Sequence, residues 1–349
     1  MSEVFKRFDD AFDHKLVVTG QHYSHLLADV FFEELNIRTP DFALAAGAAG
    51  GTHYHQLSYL STALIELFQK EGLKPDLVFF LGDSNSVCAA LPLAKEGYKI
   101  AHIEAGMRSF DKRMLEELNR TCCDHCSHLL FVYHEDYKRS LANENVRKNV
   151  HVVGNTITEV CRPFVLEQAE KPKPRNMILV DIHRPENYKH PERMRNILTY
   201  ANMCGAKWGI PVRMLKFHGT CKTLDALLLD DKDAMGTIDL VDLMSYRDYL
   251  DCIGRHCKFV ISDSGTGQEE PGMFNTPVIV PRDFTERPQS AEAHCSFMLN
   301  VGTLDNVEAS WDYLQDVIDG RRTMTTNWLG DGNTAALITA KTQEFLATM

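Results

Sequence analysis

The feature that most constrains this chain is a regular alternation. Short apolar runs, each closed by small or polar residues, are separated by longer stretches of helical period. Runs of about four to eight apolar residues suit strands buried on both faces, and a helix-length separation forces parallel pairing through crossovers. In the first half the runs are LVVTG ending at Gly20, LVFFLG ending at Gly82, KIAHIEAG ending at Gly106, LLFVY near Tyr133 and VHVVGN ending at Asn155. In the second half they are MILVDIH to His183, VRMLKFH to His218, IDLVDLM to Met244, KFVISDS to Ser264 and TPVIVPR to Arg282. Between them the clearest helix carries Leu57, Leu60, Leu64, Leu67 and Phe68 on one face before Gly72 and Pro75 stop it. The expected class is α/β with mostly parallel sheets.

A single core stops growing near ~250 residues, so 349 residues predict two domains. The charged, proline-containing stretch EQAEKPKPRN, Glu167 to Asn176, breaks the alternation and reads as the connection. The expected division is residues 1–166 and 176–333. A terminal helix over 334–349, with Ala336, Leu337, Ala340 and Phe345 at helical spacing, packs back across the first domain. No internal repeat or low-complexity tract is visible.

A formal charge of -11 and a pI near 5.7 argue against nucleic-acid and anionic-membrane partners, because both need a basic face. An anionic ligand would need a local cationic pocket. No apolar run approaches the ~18 to 20 residues of a membrane span, and a cytoplasmic protein is expected. Ten cysteines without a secretory leader read as reduced thiols. Within CCDHCSH, Cys122, Cys126 and His125 or His128 could hold a metal at helical spacing. The chain lacks a second ligand cluster, so filling of a helix face is preferred and no metal is assigned.

Ligands of open α/β sheets bind outside the carboxyl ends of the strands, so polar residues that follow apolar runs carry the functional signal. Here these are Asp83 and Ser84, Glu104, His183 and Arg184, His218, and Asp263 with Ser264. Each alone is ordinary capping chemistry; together they point to a site. DSGTGQEE, Asp263 to Glu270, reads as a strand, a glycine turn and a helix start, which presents N–H groups to a diphosphate. It has no P-loop lysine. Glu269 and Glu270 suit ribose hydroxyls, and Arg282 and Arg287 of RDFTERP either clamp phosphate or form surface ion pairs.

In order, TGQH, GDS, HIEAGMRS, EELNR, VVGNT, IHRPEN, SDSGTGQEE and RDFTERP resemble the UDP-N-acetylglucosamine 2-epimerases over nearly the whole chain. The resemblance implies two Rossmann-like domains facing a cleft, as in GT-B glycosyltransferases. The first domain would carry the sugar chemistry and the second UDP, with neither metal nor nicotinamide, in a homodimer that serves polysaccharide biosynthesis. It implies elimination of UDP to a 2-acetamidoglucal and re-addition after protonation of C2 on the opposite face. Asp83, Glu104 and Glu116 match the acid-base carboxylates, supported by Asn119 and Arg120, and His183 the group that stabilises the departing oxygen. Arg184, His218, Ser264, Gly265 and Thr266 match the diphosphate site, Glu270 the ribose contact and Arg287 the far wall of the cleft.

The family opens with a strand ending in a GTRPE-like loop, whereas this chain begins MSEVFKRF. The expectation is a first sheet short of one buried strand and a site short of a cationic loop. GDSNS, SGTG and KFHGTCKT also depart from the usual pattern. Interconversion of UDP-N-acetylglucosamine and UDP-N-acetylmannosamine is the leading reading. TGQH with FFEELNIRTPDF resembles enzymes acting on UDP-2-acetamido-2,6-dideoxyhexoses in the N-acetylfucosamine pathway, which is the alternative substrate. A hydrolysing 2-epimerase, an inactive UDP-sugar-binding homologue and a GT-B glycosyltransferase are the other readings.

Overall fold

The computed structural model describes residues 1–20, 29–48 and 52–349. Of the TGQH motif, Gln21 and His22 lie outside the described residues. The chain forms two compact units, residues 1–160 with 329–349, and residues 161–328. The first division falls inside the helix Ile157–Gln168 rather than at 166, and the second within the turn Asn327–Leu329 rather than at 333. The segment read as the connection belongs to the second unit. Arg175 there donates to the carbonyls of Cys257 and Phe274 at 2.9 and 2.8 Å, which fixes the segment to that unit.

The first unit contains β1 (Val17–Val18), β2 (Phe42–Ala43), β3 (Val78–Leu81), β4 (Ile100–Ile103), β5 (Leu129–Val132) and β6 (Val150–Val152). All pairings are parallel, but they form two pieces, β1-β2 and β3-β4-β5-β6. Where β1 and β3 end, Thr19 Oγ1 and Ser86 Oγ lie 2.6 Å apart. The strands β4 and β5 are wholly buried because both faces are covered. One face receives Val4 and Phe8 of the helix Ser2–Ala11 with Ala335 and Ile338 of the helix Thr334–Leu346. Against β3 and the start of β4 pack Leu60, Leu64 and Phe68 of the helix His53–Glu71, whose left-handed cap is Gly72. Each such fully buried side chain contributes about 1.5–3 kcal/mol.

The second unit holds β7 (Met177–Asp181), β8 (Val212–Leu215), β9 (Ile238–Val241), β10 (Cys257–Ser262), β11 (Val278–Val280) and β12 (Ser296–Met298). Their order is β12-β11-β10-β7-β8-β9, all parallel. The chain runs outward from β7 to β9 and returns to place β10 on the other side of β7. This makes a topological switch point at the carboxyl ends of β7 and β10, where such folds bind ligands. The strands β2 and β12, only two and three residues long, are not among the apolar runs of the sequence. IDLVDLM forms the edge strand β9, which exposes Asp239 and Leu240.

Candidate functional site

The switch point brings the end of β7 to the end of β10. Asp263, fully buried just after β10, accepts the backbone N–H groups of His183 and Arg184 at 3.0 and 3.1 Å and the Asn187 amide at 2.9 Å. One carboxylate thus fixes the whole turn after β7. Asp181, at the end of β7, takes the Ser262 hydroxyl at 3.0 Å and lies 2.9 Å from His183 Nδ1. Burial alone would lower the pKa of His183, but the charges of Asp181 and then Asp263 raise it above the ordinary imidazole range. The imidazole is therefore poised to carry a positive charge, with Nε2 left for a second partner.

Beyond Asp263 the chain forms a tight turn over Thr266–Gln268, followed by the one-turn helix Glu270–Met273. Ser264 and Thr266 hydroxyls are 3.2 Å apart, and the N–H groups of Gly265, Thr266 and Gly267 open the turn, with no preceding carbonyl of that turn to bond. Gly265 is required here: a Cβ would stand 2.5 Å from an Arg287 guanidinium nitrogen. Arg287 itself lies buried between Glu269 and Glu286, each at 2.5 Å, so it braces the turn rather than standing open as a cleft wall. Arg282 is likewise buried against Glu186 and Glu286, not paired on the surface. Glu270 is also buried and accepts the Tyr246 hydroxyl at 2.7 Å. Burial pushes its pKa up to about 8, with Glu269 and Asp181 adding to the rise and Tyr246 opposing it. His218 is exposed at the start of the helix His218–Asp230.

The first unit gathers a second cluster. Asp83 follows β3 through Gly82, and its carboxylate meets the fully buried guanidinium of Arg120. Asn119, one residue earlier on the helix Leu115–Cys126, donates to the Asp83 carbonyl at 2.9 Å. Glu104 follows β4 with φ at 71°, a left-handed backbone that costs about 1–3 kcal/mol for a non-glycine residue and is typical of functional positions. A Cβ at Gly82 would stand 3.3 Å from Glu104 Oε2, so that carboxylate lies over the Gly82–Asp83 turn. Glu116 is half-buried in the first turn of the helix. Its neighbour Glu117 is committed to the loop, accepting the N–H groups of Ser109 and Phe110, both at 3.0 Å.

Beneath Asp83 and Glu104 runs a buried relay absent from the sequence-derived set. His102 Nε2 lies 2.7 Å from the Gly82 carbonyl and Nδ1 lies 2.7 Å from Asp124. Asp124 also accepts the Gly106 N–H at 3.1 Å and pairs with Arg108 at 2.8 Å, which in turn grips Glu144 with two bonds. Burial opposes charge at both groups, yet Cys123 and Asp124 raise His102 well above the imidazole range, while His102 and Arg108 lower Asp124. The pair is an imidazolium and a carboxylate that hold both turns. Asp124 sits inside CCDHCSH; the cysteines and the flanking histidines drew attention instead. Asp181, Tyr246 and Asn187 were also missed. An acidic residue placed inside an otherwise apolar strand, as in MILVDI, is the signal that could have found Asp181.

Residues 6–343 match the family described as UDP-N-acetylglucosamine 2-epimerase. The UDP-N-acetylglucosamine 2-epimerase of Methanococcus maripaludis is 31% identical over 336 residues, which cover 93% of this chain and 89% of that relative. The UDP-2,3-diacetamido-2,3-dideoxy-D-glucuronate 2-epimerase of Pseudomonas aeruginosa is 31% identical over 278 residues, covering 78% of this chain and 75% of that one. The crystal structure of Methanocaldococcus jannaschii UDP-GlcNAc 2-epimerase in complex with UDP-GlcNAc and UDP matches with a TM-score of 0.86 at 29% identity. It covers 98% of this chain and 95% of that one.

Proposed function

The chain belongs to the UDP-N-acetylglucosamine 2-epimerase family, and we propose that it interconverts UDP-N-acetylglucosamine and UDP-N-acetylmannosamine by inverting C2. The observation that carries this is the match of nearly the entire chain, in sequence and in GT-B-like α/β fold, to epimerases of that substrate. It is an isomerase.

The hydrogen at C2 is not beside a carbonyl, so it becomes acidic only as the anomeric C1–O bond breaks. Elimination of UDP gives a 2-acetamidoglucal, and re-addition after protonation on the other face completes the inversion. Two groups are needed, one for each face. We assign these two proton transfers to members of the carboxylate set Asp83, Glu104 and Glu116 in the first unit, with Arg120 and Asn119 holding Asp83. The UDP moiety we assign to the second unit. His183, with Arg184 and His218, and the turn Ser264–Gly267 stabilise the departing diphosphate, and Glu270 accepts a ribose hydroxyl. Arg287 supports the turn through Gly265. The family resemblance supports a cytoplasmic homodimer that supplies polysaccharide biosynthesis. Among the described residues no helix is long and apolar enough to cross a membrane.

A second reading of the substrate is favoured by the Pseudomonas relative, which acts on a diacetamido uronate at comparable identity. Incubation with UDP-N-acetylglucosamine in D2O, followed by proton NMR, tests the proposal. Deuterium at C2 together with a manno-configured UDP-sugar establishes the reaction. Free UDP accumulating in step with free sugar identifies hydrolysis. No exchange with this substrate, but exchange with UDP-2,3-diacetamido-2,3-dideoxy-D-glucuronate, moves the substrate to the uronate, and no exchange with either leaves a UDP-sugar-binding homologue.

A further inference from the structure

At the opposite end of the second unit's sheet, two cysteines meet that play no part in the chemistry above. Cys257 opens β10, and Cys252 opens the π turn Cys252–His256 that joins the helix Tyr246–Asp251 to that strand. In an α-helix the residue five positions on lies well round the cylinder from the first. The wider π turn, closed here by the Cys257 N–H on the Cys252 carbonyl, stacks the two residues instead. Their sulfur atoms are 3.7 Å apart.

The two thiols differ in environment. Cys257 is completely buried. Cys252 lines a cavity of about 320 Å³ whose other walls are Asn176, Met177, Pro211, Arg213 and His256. The hydrogen bond from Cys257 lowers the Cys252 pKa; burial and Asp251 oppose this, and the Arg213 charge reinforces it. The same hydrogen bond and burial hold Cys257 protonated. Cys252 therefore faces the cavity with the Cys257 sulfur 3.7 Å behind it, the arrangement of an attacking and a resolving cysteine.

We propose that Cys252 and Cys257 form a peroxide-reactive dithiol that closes to a disulfide, Cys252 attacking and Cys257 resolving. The Cys252 thiolate attacks one peroxide oxygen; the S–O bond forms, the O–O bond breaks, and hydroxide leaves as water. The Cys257 sulfur then attacks the sulfenic sulfur, the S–S bond forms, and the S–O bond breaks to release a second water. Two thiols lose two electrons and one hydrogen peroxide becomes two waters. The six residues of β10 put about 20 Å between this pair and the turn at Asp263. Oxidation is accordingly independent of UDP binding, and the inference does not rest on the proposed activity.

The test uses the full chain. After brief hydrogen peroxide treatment, free thiols are alkylated and the protein is cut with trypsin, which separates DYLDCIGR from HCK. The expected result is a disulfide linking these two peptides, with alkylation of both cysteines falling about tenfold before that of Cys88, Cys122 or Cys126 changes. UDP at saturation leaves the rate unchanged. Cys257→Ser accumulates a dimedone-reactive sulfenic acid at Cys252, and Cys252→Ser leaves Cys257 unreactive. Should either variant fail to fold, the wild-type peptide linkage still decides. Unchanged alkylation of the pair while the half-buried cysteines oxidise overturns the proposal, as does a linkage that forms only in denaturant.

Discussion

Replacement of Asp124 by asparagine tests whether the buried relay holds the two turns of the first unit. In the wild type its carboxylate receives three donors, from His102, Gly106 and Arg108 at 2.7, 3.1 and 2.8 Å, all out of contact with water. An amide keeps one oxygen and turns a donor of its own toward the other partners, so at least one donor-donor opposition results. It also leaves His102 and Arg108 without their shared countercharge. Removing one member of a buried ion pair costs about 3–5 kcal/mol, and for a unit of this size each kcal/mol lowers the transition temperature by about 2–4 °C. The expected loss for the first unit's transition is therefore roughly 6–20 °C. The pH dependence has a definite sign. His102 has a folded pKa above its unfolded value, so its contribution is complete below the unfolded pKa and is lost as pH rises through the folded one. Asp124 has a folded pKa below its unfolded value, so its contribution is present above the unfolded pKa and is lost as pH falls through the folded one. Urea unfolding of the wild type should show a plateau between these limits, and Asp124→Asn should flatten both flanks. A loss below about 1 kcal/mol at pH 7, or flanks unchanged by the substitution, would refute the assignment of a charged, turn-holding pair.

Three further outcomes follow from the two clusters. Asp83→Asn and Glu104→Gln should each slow C2 deuterium exchange by about 10²- to 10⁴-fold while leaving UDP affinity within a few-fold, measured by NMR exchange and calorimetry. Glu270, with a pKa pushed up to about 8, binds a proton that the unfolded chain has lost, so stability should fall as pH rises from the ordinary carboxyl range through 8. Glu270→Gln should abolish that slope, and UDP binding near pH 7 should release a proton, seen as a buffer-dependent enthalpy in the wild type and not in the variant. Gly265→Ala drives a methyl into the Arg287 guanidinium and should weaken UDP binding about tenfold with little change in the first unit's unfolding, which thermal shift with and without UDP would show.

Residues placed by strand ends were legible in the sequence. A parallel strand buried on both faces has to be apolar along its length, so Asp83, Glu104, His183 and Asp263 stood out where the apolar runs stopped. Legibility failed where placement depends on what a side chain meets across the fold. Nothing local distinguishes Glu116 from Glu117, yet the loop Ser109–Phe110 claims one and leaves the other half-buried. Arg287 looked available for phosphate because its partners Glu269 and Glu286 lie in separate turns that close only in the folded unit. Asp124 was hidden by the cysteines around it, since burial and three donors are tertiary facts. The strands β2 and β12 are too short for periodicity to register. Closing of the sulfur pair required a π turn, which no spacing announces.

The return of residues 329–349 to the first unit orders events during synthesis. The second unit is one unbroken stretch and can finish folding as soon as residue 328 has cleared the ribosome. The first unit, although translated first, must wait for the last helix, because Ala335 and Ile338 cover the face of β4 and β5. Through that interval its nascent sheet keeps an apolar flank in water, the condition that recruits chaperones and favours aggregation. Shortening the chain at its end should therefore unfold the half that was made first, and a stalled or truncated product should retain the second unit intact.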